Sequence, residues 1–84
     1  MRYTVIWVPD AEQELAAIWM AAGDRDAVTA AAHRIDQILR RYPDQKGESR
    51  PEGRRILLEP PLGVLFIVQP LDRIVYVLNV WQFD

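Results

Sequence analysis

The chain has 84 residues, of which 50% are apolar, 26% charged and 10% aromatic; it contains no cysteine and its formal net charge is −2. At this length a chain buries only about 60 to 65% of the surface it exposes when unfolded, so one small domain covering residues 1–84 is expected. The composition excludes a disordered tail, the missing thiols exclude a disulfide framework and a thiolate metal site, and an isoelectric point near 5.3 excludes a protein that coats DNA regardless of sequence.

Tyr3 to Val8 is β-branched and aromatic and is closed by Pro9, which predicts a first strand. This run is too short for a signal peptide. Pro60-Pro61, Gln69-Pro70 and Asp72-Arg73 interrupt every later apolar stretch before it reaches the roughly 18 residues of a membrane span. A cytoplasmic protein without a membrane segment is the expectation. Asp10 then reads as an N-cap with Gln13 as the second half of a capping box, and Ala11, Leu15, Ile18 and Ala22 recur at helical spacing, flanked by Trp19. Gly23 stands where a left-handed residue would end that helix.

Asp24 can cap a second helix, whose apolar positions Val28, Ala31, Ala32, Ile35, Ile38, Leu39 and Tyr42 share a face until Pro43 stops it. The short connection predicts an antiparallel helical hairpin, and Ala30 to Ala32 would permit close approach. Asp44 to Gly53 is polar and rich in turn formers, so a loop is expected there. Three apolar runs follow, Arg54 to Glu59, Leu62 to Gln69 and Ile74 to Trp81, separated at hairpin length by Pro60-Pro61 and by Pro70 to Arg73. The predicted architecture is α+β in the order β-α-α-β-β-β. Its helical hairpin packs on one face of a four-stranded, mainly antiparallel sheet.

The strands carry an anomaly. Alternate residues face opposite sides of a sheet, yet Leu62, Val64, Phe66 and Val68 oppose a set that includes Leu65 and Ile67, so both sides are apolar. The last run sets Ile74, Tyr76, Leu78 and Val80 against Val75, Val77, Asn79 and Trp81, and the first sets Tyr3, Val5 and Trp7 against Thr4, Ile6 and Val8. One hairpin covers one face. Either the sheet curls so that its ends and the long loop hide the other, or a partner polypeptide covers it. The second reading makes Trp7, Leu65, Ile67, Val77 and Trp81 the partner-binding candidates.

Catalytic signals are sparse. The sole histidine, His33, falls about 140° round the second helix from Val28 at 100° per residue, which reads as a surface position. With one histidine and no cysteine, neither a metal nor any other cofactor is expected. Ser49 has no histidine near it in sequence, and Gly47, Gly53 and Gly63 make no phosphate-binding loop. Cations, however, are concentrated mid-chain: residues 31–55 carry seven against four acidic side chains, whereas residues 1–30 carry two against five. Among them Arg50, Arg54 and Arg55 stand at the loop and the start of the second strand, where guanidinium forks could hold a phosphodiester. Solvated ion pairs with Glu48, Glu52 or Glu59 are the competing reading.

The element order, the stretch Ala11 to Trp19 followed by an Ala-rich helix ending at Tyr42-Pro43, and the phrase Gly53-Arg54-Arg55-Ile56-Leu57 ahead of two apolar hairpin strands resemble the RelE/ParE toxin superfamily (plasmid stabilisation proteins) over nearly the whole chain. The resemblance implies the toxin of a type II toxin–antitoxin module, neutralised by a cognate antitoxin whose C-terminal segment wraps it. In the RNA-cleaving branch, basic residues on the central strands and a terminal Tyr or His cut messenger RNA on the ribosome without metal, the 2′-hydroxyl attacking the adjacent phosphate. Arg54 or Arg55 matches the basic residue of the second strand. Gly63 stands in place of the third-strand arginine, the end reads Val80-Trp81-Gln82-Phe83-Asp84 without the usual Arg, Tyr or His, and Arg73 lies at the wrong end of its strand. ParE-like members instead poison DNA gyrase by protein binding and need no catalytic set. The resemblance therefore implies a toxin that acts by binding a target, with a ribonuclease using Arg50, Arg54 and Arg55 as the alternative. An inactive homologue, or a homodimer closed through the sheet, is a third reading.

Overall fold

The computed structural model describes residues 2–83. Strand β1 (Thr4–Trp7) leads into helix α1 (Pro9–Ala21), and helix α2 (Arg25–Arg41) follows after three residues. Four further strands, β2 (Glu48–Ser49), β3 (Arg54–Glu59), β4 (Leu62–Gln69) and β5 (Ile74–Gln82), complete a sheet in the order β1-β5-β4-β3-β2. β1 runs parallel to β5 and the remaining pairs are antiparallel. The α+β architecture agrees with the sequence reading, and the strand count is one higher. Glu48 and Ser49, inside the expected loop, pair with Ile56 and Arg55, and a 3₁₀ turn at Pro51–Gly53 reverses the chain between β2 and β3. Two residues with polar side chains carry no alternation to read, so only the pairing reveals this strand. Among the described residues no helix is long and apolar enough to cross a membrane.

Helix α1 starts one residue earlier than expected, because Pro9 at its first position already has a helical φ and lacks the N–H that would go unpaired there. Val8 is therefore the cap residue, and Asp10 and Glu12 lie in the first turn as charges at the positive end of the dipole. The other end is also a correction. The chain turns extended at Ala22 (φ −71°, ψ 142°), and Gly23 is not among the left-handed residues. Instead Arg25, from the next helix, donates from Nε to the Trp19 carbonyl at 3.1 Å and from Nη2 to the Met20 carbonyl at 3.0 Å. Its guanidinium lies 4.6 Å from the Trp19 ring centroid, and the indole Nε1 donates to the Thr29 hydroxyl. Asp24 caps α2 as expected, its carboxylate accepting from the Ala27 amide at 3.0 Å.

The helices cover one face of the sheet. Val28, Ala31, Ile35 and Leu39, one stripe of α2, are buried against Val5, Leu57, Leu62, Val64, Phe66, Val75, Val77 and Val80. Burying a side chain such as Phe66, Ile35 or Leu39 stabilises the fold by about 1.5–3 kcal/mol. Tyr42, expected on that stripe, is 48% exposed, because the helix has already ended at Arg41.

The β4–β5 register shifts in mid-strand. Leu65 pairs with Asn79 and Phe66 with Val77, leaving Leu78 without a partner. Such a bulge swaps the faces of the residues beyond it. Val75, Val77 and Val80 consequently all lie in the core, although strict alternation separates Val80 from the other two. The bulge sits beyond the end of β1, where β5 has lost its neighbour, and Glu14 of α1 supplies the missing partner. Its carboxylate accepts from the Val80 amide at 3.0 Å and lies 3.4 Å from the Asn79 side-chain nitrogen.

Candidate partner-binding surfaces

The sheet face away from the helices is apolar, as the strand patterns require. The register sets Leu58, Gly63 and Trp81 in one row, Ile56, Leu65 and Asn79 in the next, and Arg54, Ile67, Tyr76 and Ile6 in a third. Leu58 is 55% and Ile6 38% exposed, while Ile56, Leu65, Ile67, Tyr76 and Trp81 are half-buried by one another. Trp81 lies against the Gly63 backbone: a Cβ on Gly63 would come within 2.6 to 2.7 Å of Cε2, Cζ2 and Nε1 of the indole. The indole thus occupies the space that a side chain at position 63 would take.

The five partner-binding candidates divide among three environments. Leu65, Ile67 and Trp81 share this open face. Trp7 is on the helix side, level with Val77, and its indole Nε1 donates to Asp36 at 3.3 Å. Val77 is 0% exposed, which corrects its place beside Trp81: the bulge after it inverts the alternation, so it faces the core.

The three arginines separate as well. Arg50 donates to Glu48 and to the Ser49 carbonyl, both at 3.0 Å. Arg55, level with Phe66 and so on the helix side, donates to the Lys46 and Gly47 carbonyls and to the Ser49 hydroxyl at 2.9 to 3.2 Å. It closes the 46–49 segment onto β3. Arg54 alone of the three is on the open face, exposed, with no hydrogen bond or ion pair to the described residues. Arg73 adopts a left-handed conformation (φ 54°) in the β4–β5 turn, 6.0 Å from the Tyr3 ring centroid. The described residues contain no group of three or more His, Cys, Asp or Glu side chains placed to hold a metal ion.

A second surface lies between the helices and β1, where a groove of about 890 Å³ opens. Glu12, Leu15, Ala16, Trp19 and Met20 form its α1 wall, and Val28, Thr29, Ala32, His33 and Asp36 its α2 wall. The α1 stripe is readable in the sequence as a second apolar face rotated from Ala11, Leu15, Ile18 and Ala22. Its signal is weak, because Ala16 and Met20 carry no charge pattern to set it apart.

This arrangement of elements has known counterparts. The chain superposes on a chain of the toxin–antitoxin complex RelBE2 from Mycobacterium tuberculosis with a TM-score of 0.81 and 20% identity, covering 98% of this chain and 92% of that one. It has the RelE/ParE fold. A chain of the chromosomal ParDE TA system from P. aeruginosa matches with a TM-score of 0.70 and 24% identity over 99% of this chain and 98% of that one. No protein-family model matches the sequence, and no curated protein matches it. The RelE/ParE fold of this chain differs from the four-stranded expectation only in the added strand β2.

Proposed function

We propose that the chain is the toxin of a type II toxin–antitoxin pair, held inactive in the cytoplasm by a cognate antitoxin and acting, once free, by binding a protein target. The observation that carries this reading is the apolar open face, where Trp81 roofs Gly63 between Leu58 and the row of Ile56 and Leu65. Stabilising the charge that builds on a cleaved phosphodiester requires several donors converging on one point. Here Arg50 and Arg55 are engaged with the 46–49 segment, and only Arg54 faces the sheet surface. A face of this kind favours contact with another polypeptide over a phosphate. The resemblance to ParE-like toxins makes DNA gyrase the first target to test.

Expression of the chain alone should arrest bacterial growth, and co-expression of the small protein encoded beside it should relieve the arrest. Loss of gyrase supercoiling in the presence of the purified chain identifies the target, whereas unimpaired growth at high expression rejects the toxin reading. One observation favours a ribonuclease as the second reading: Arg54 is unengaged and shares its row with Tyr76. Cleavage of messenger RNA on translating ribosomes, abolished by Arg54→Ala, would replace the first reading with this one.

A further inference from the structure

We infer that the groove between α1, α2 and β1 receives about two turns of an amphipathic helix from a partner polypeptide, with a basic side chain of that helix set beside Glu12. The inference rests on the reading that a partner protein binds this chain, and adds a second contact surface distinct from the open sheet face.

Three features of the groove specify a helix. Each wall is itself a helical stripe, from Glu12 to Met20 on α1 and from Val28 to Asp36 on α2. Eight residues of helical rise make each wall about 12 Å long, and a helix about 10 Å across over that length fills roughly 940 Å³. The groove measures about 890 Å³. Ala16 and Ala32 contribute one small side chain to each wall, which lets a third backbone approach to the 8–10 Å interaxial distance, roughly, of packed helices. The rim is apolar where an incoming helix would bury it, since Trp19 is 39% and Met20 66% exposed.

Charge selects the occupant further. Asp36 is already engaged, accepting from the Trp7 indole and from Arg40 at 2.7 Å. Glu12 has no hydrogen bond or ion pair to the described residues and is exposed at the rim. A lysine or arginine on the partner helix would complete it. An extended segment added to β1 is the rival occupant, but the edge available is too short. The Thr4 and Val8 amides face β5, and the Tyr3 amide donates to the Arg40 carbonyl, so alternation leaves Val5 and Trp7 alone facing outward.

Titration of the ¹⁵N-labelled chain with two synthetic peptides of equal composition tests this. Both have about 14 residues, one with leucines at helical spacing and lysines on one flank, the other with the same residues alternating. The helically patterned peptide should shift the amides of Ala16, Trp19, Met20 and Ala32, saturate below about 1 mM and gain helical circular dichroism. Met20→Lys, at an exposed position that leaves the fold intact, should weaken binding by about tenfold, and Glu12→Gln by a smaller factor. Shifts confined to Leu65, Ile67 and Trp81, no saturation at that concentration, or equal occupation of the groove by the alternating peptide would each overturn the inference. The titration does not depend on toxicity: unimpaired growth in cells rejects the toxin reading alone, and an empty groove rejects the helix alone.

Discussion

Trp81 and Gly63 are a matched pair, one indole resting on the backbone that the other residue leaves bare. Adding a methyl group at position 63 places it inside the contact distance of three indole atoms. Gly63→Ala should therefore displace Trp81 and lower stability by about 1–3 kcal/mol, the usual cost of overpacking. Chemical denaturation measures the loss, and a changed tryptophan emission reports the displacement. A Gly63→Ala variant as stable as the parent, with an unaltered spectrum, would show that the indole moves aside freely.

Glu14 stands in for a missing strand at the β5 bulge. Glu14→Ala leaves the Val80 amide without its acceptor and should cost about 1–3 kcal/mol, whereas Glu14→Gln keeps a neutral acceptor and should cost less. Hydrogen exchange of the Val80 amide is the direct readout. Exchange should quicken in the alanine variant while the amides of Val75 and Val77, paired within the sheet, keep their protection.

Arg55 holds the 46–49 segment to β3 whatever the protein does in the cell. Arg55→Ala removes four hydrogen bonds to Lys46, Gly47 and Ser49, and should speed proteolytic nicking between Asp44 and Gly53 with a loss of about 1 kcal/mol in stability. Arg54→Ala, which breaks no such contact, should leave both unchanged. The pair separates a structural arginine from one available to a ligand.

The open face is tested by charge. Leu65→Lys should lower stability by less than about 1 kcal/mol, because the site is only half-buried. It should nevertheless abolish neutralisation by the co-expressed antitoxin or the arrest of growth, according to which partner uses that face. Pull-down of the antitoxin by the variant distinguishes the two outcomes.

The helices, three of the strands and the capping role of Asp24 were legible because each rests on a periodic pattern or a local rule. Both apolar sheet faces were legible for the same reason. What escaped depends on contacts distant in sequence. Val77 reads as a surface residue until the β4–β5 register reveals the bulge at Leu78, and no local pattern encodes an extra residue in a uniformly apolar strand. Gly23 has the expected position for a helix stop, yet Arg25 satisfies the Trp19 and Met20 carbonyls from the next helix. The arginines illustrate the limit for function. Neighbours in sequence, Arg54 and Arg55 lie on opposite faces of β3, so their proximity in the chain says nothing of a shared site.

The placement of β5 between β1 and β4 bears on how the molecule is made. The opening strand of the chain finds its only neighbour in the closing one, so during synthesis Thr4 to Trp7 must wait, unpaired, until Ile74 to Val77 clear the ribosome. Joining elements so far apart along the polypeptide slows the final step. A nascent chain of this protein is therefore incomplete, and incapable of presenting its finished surface, until translation is nearly over.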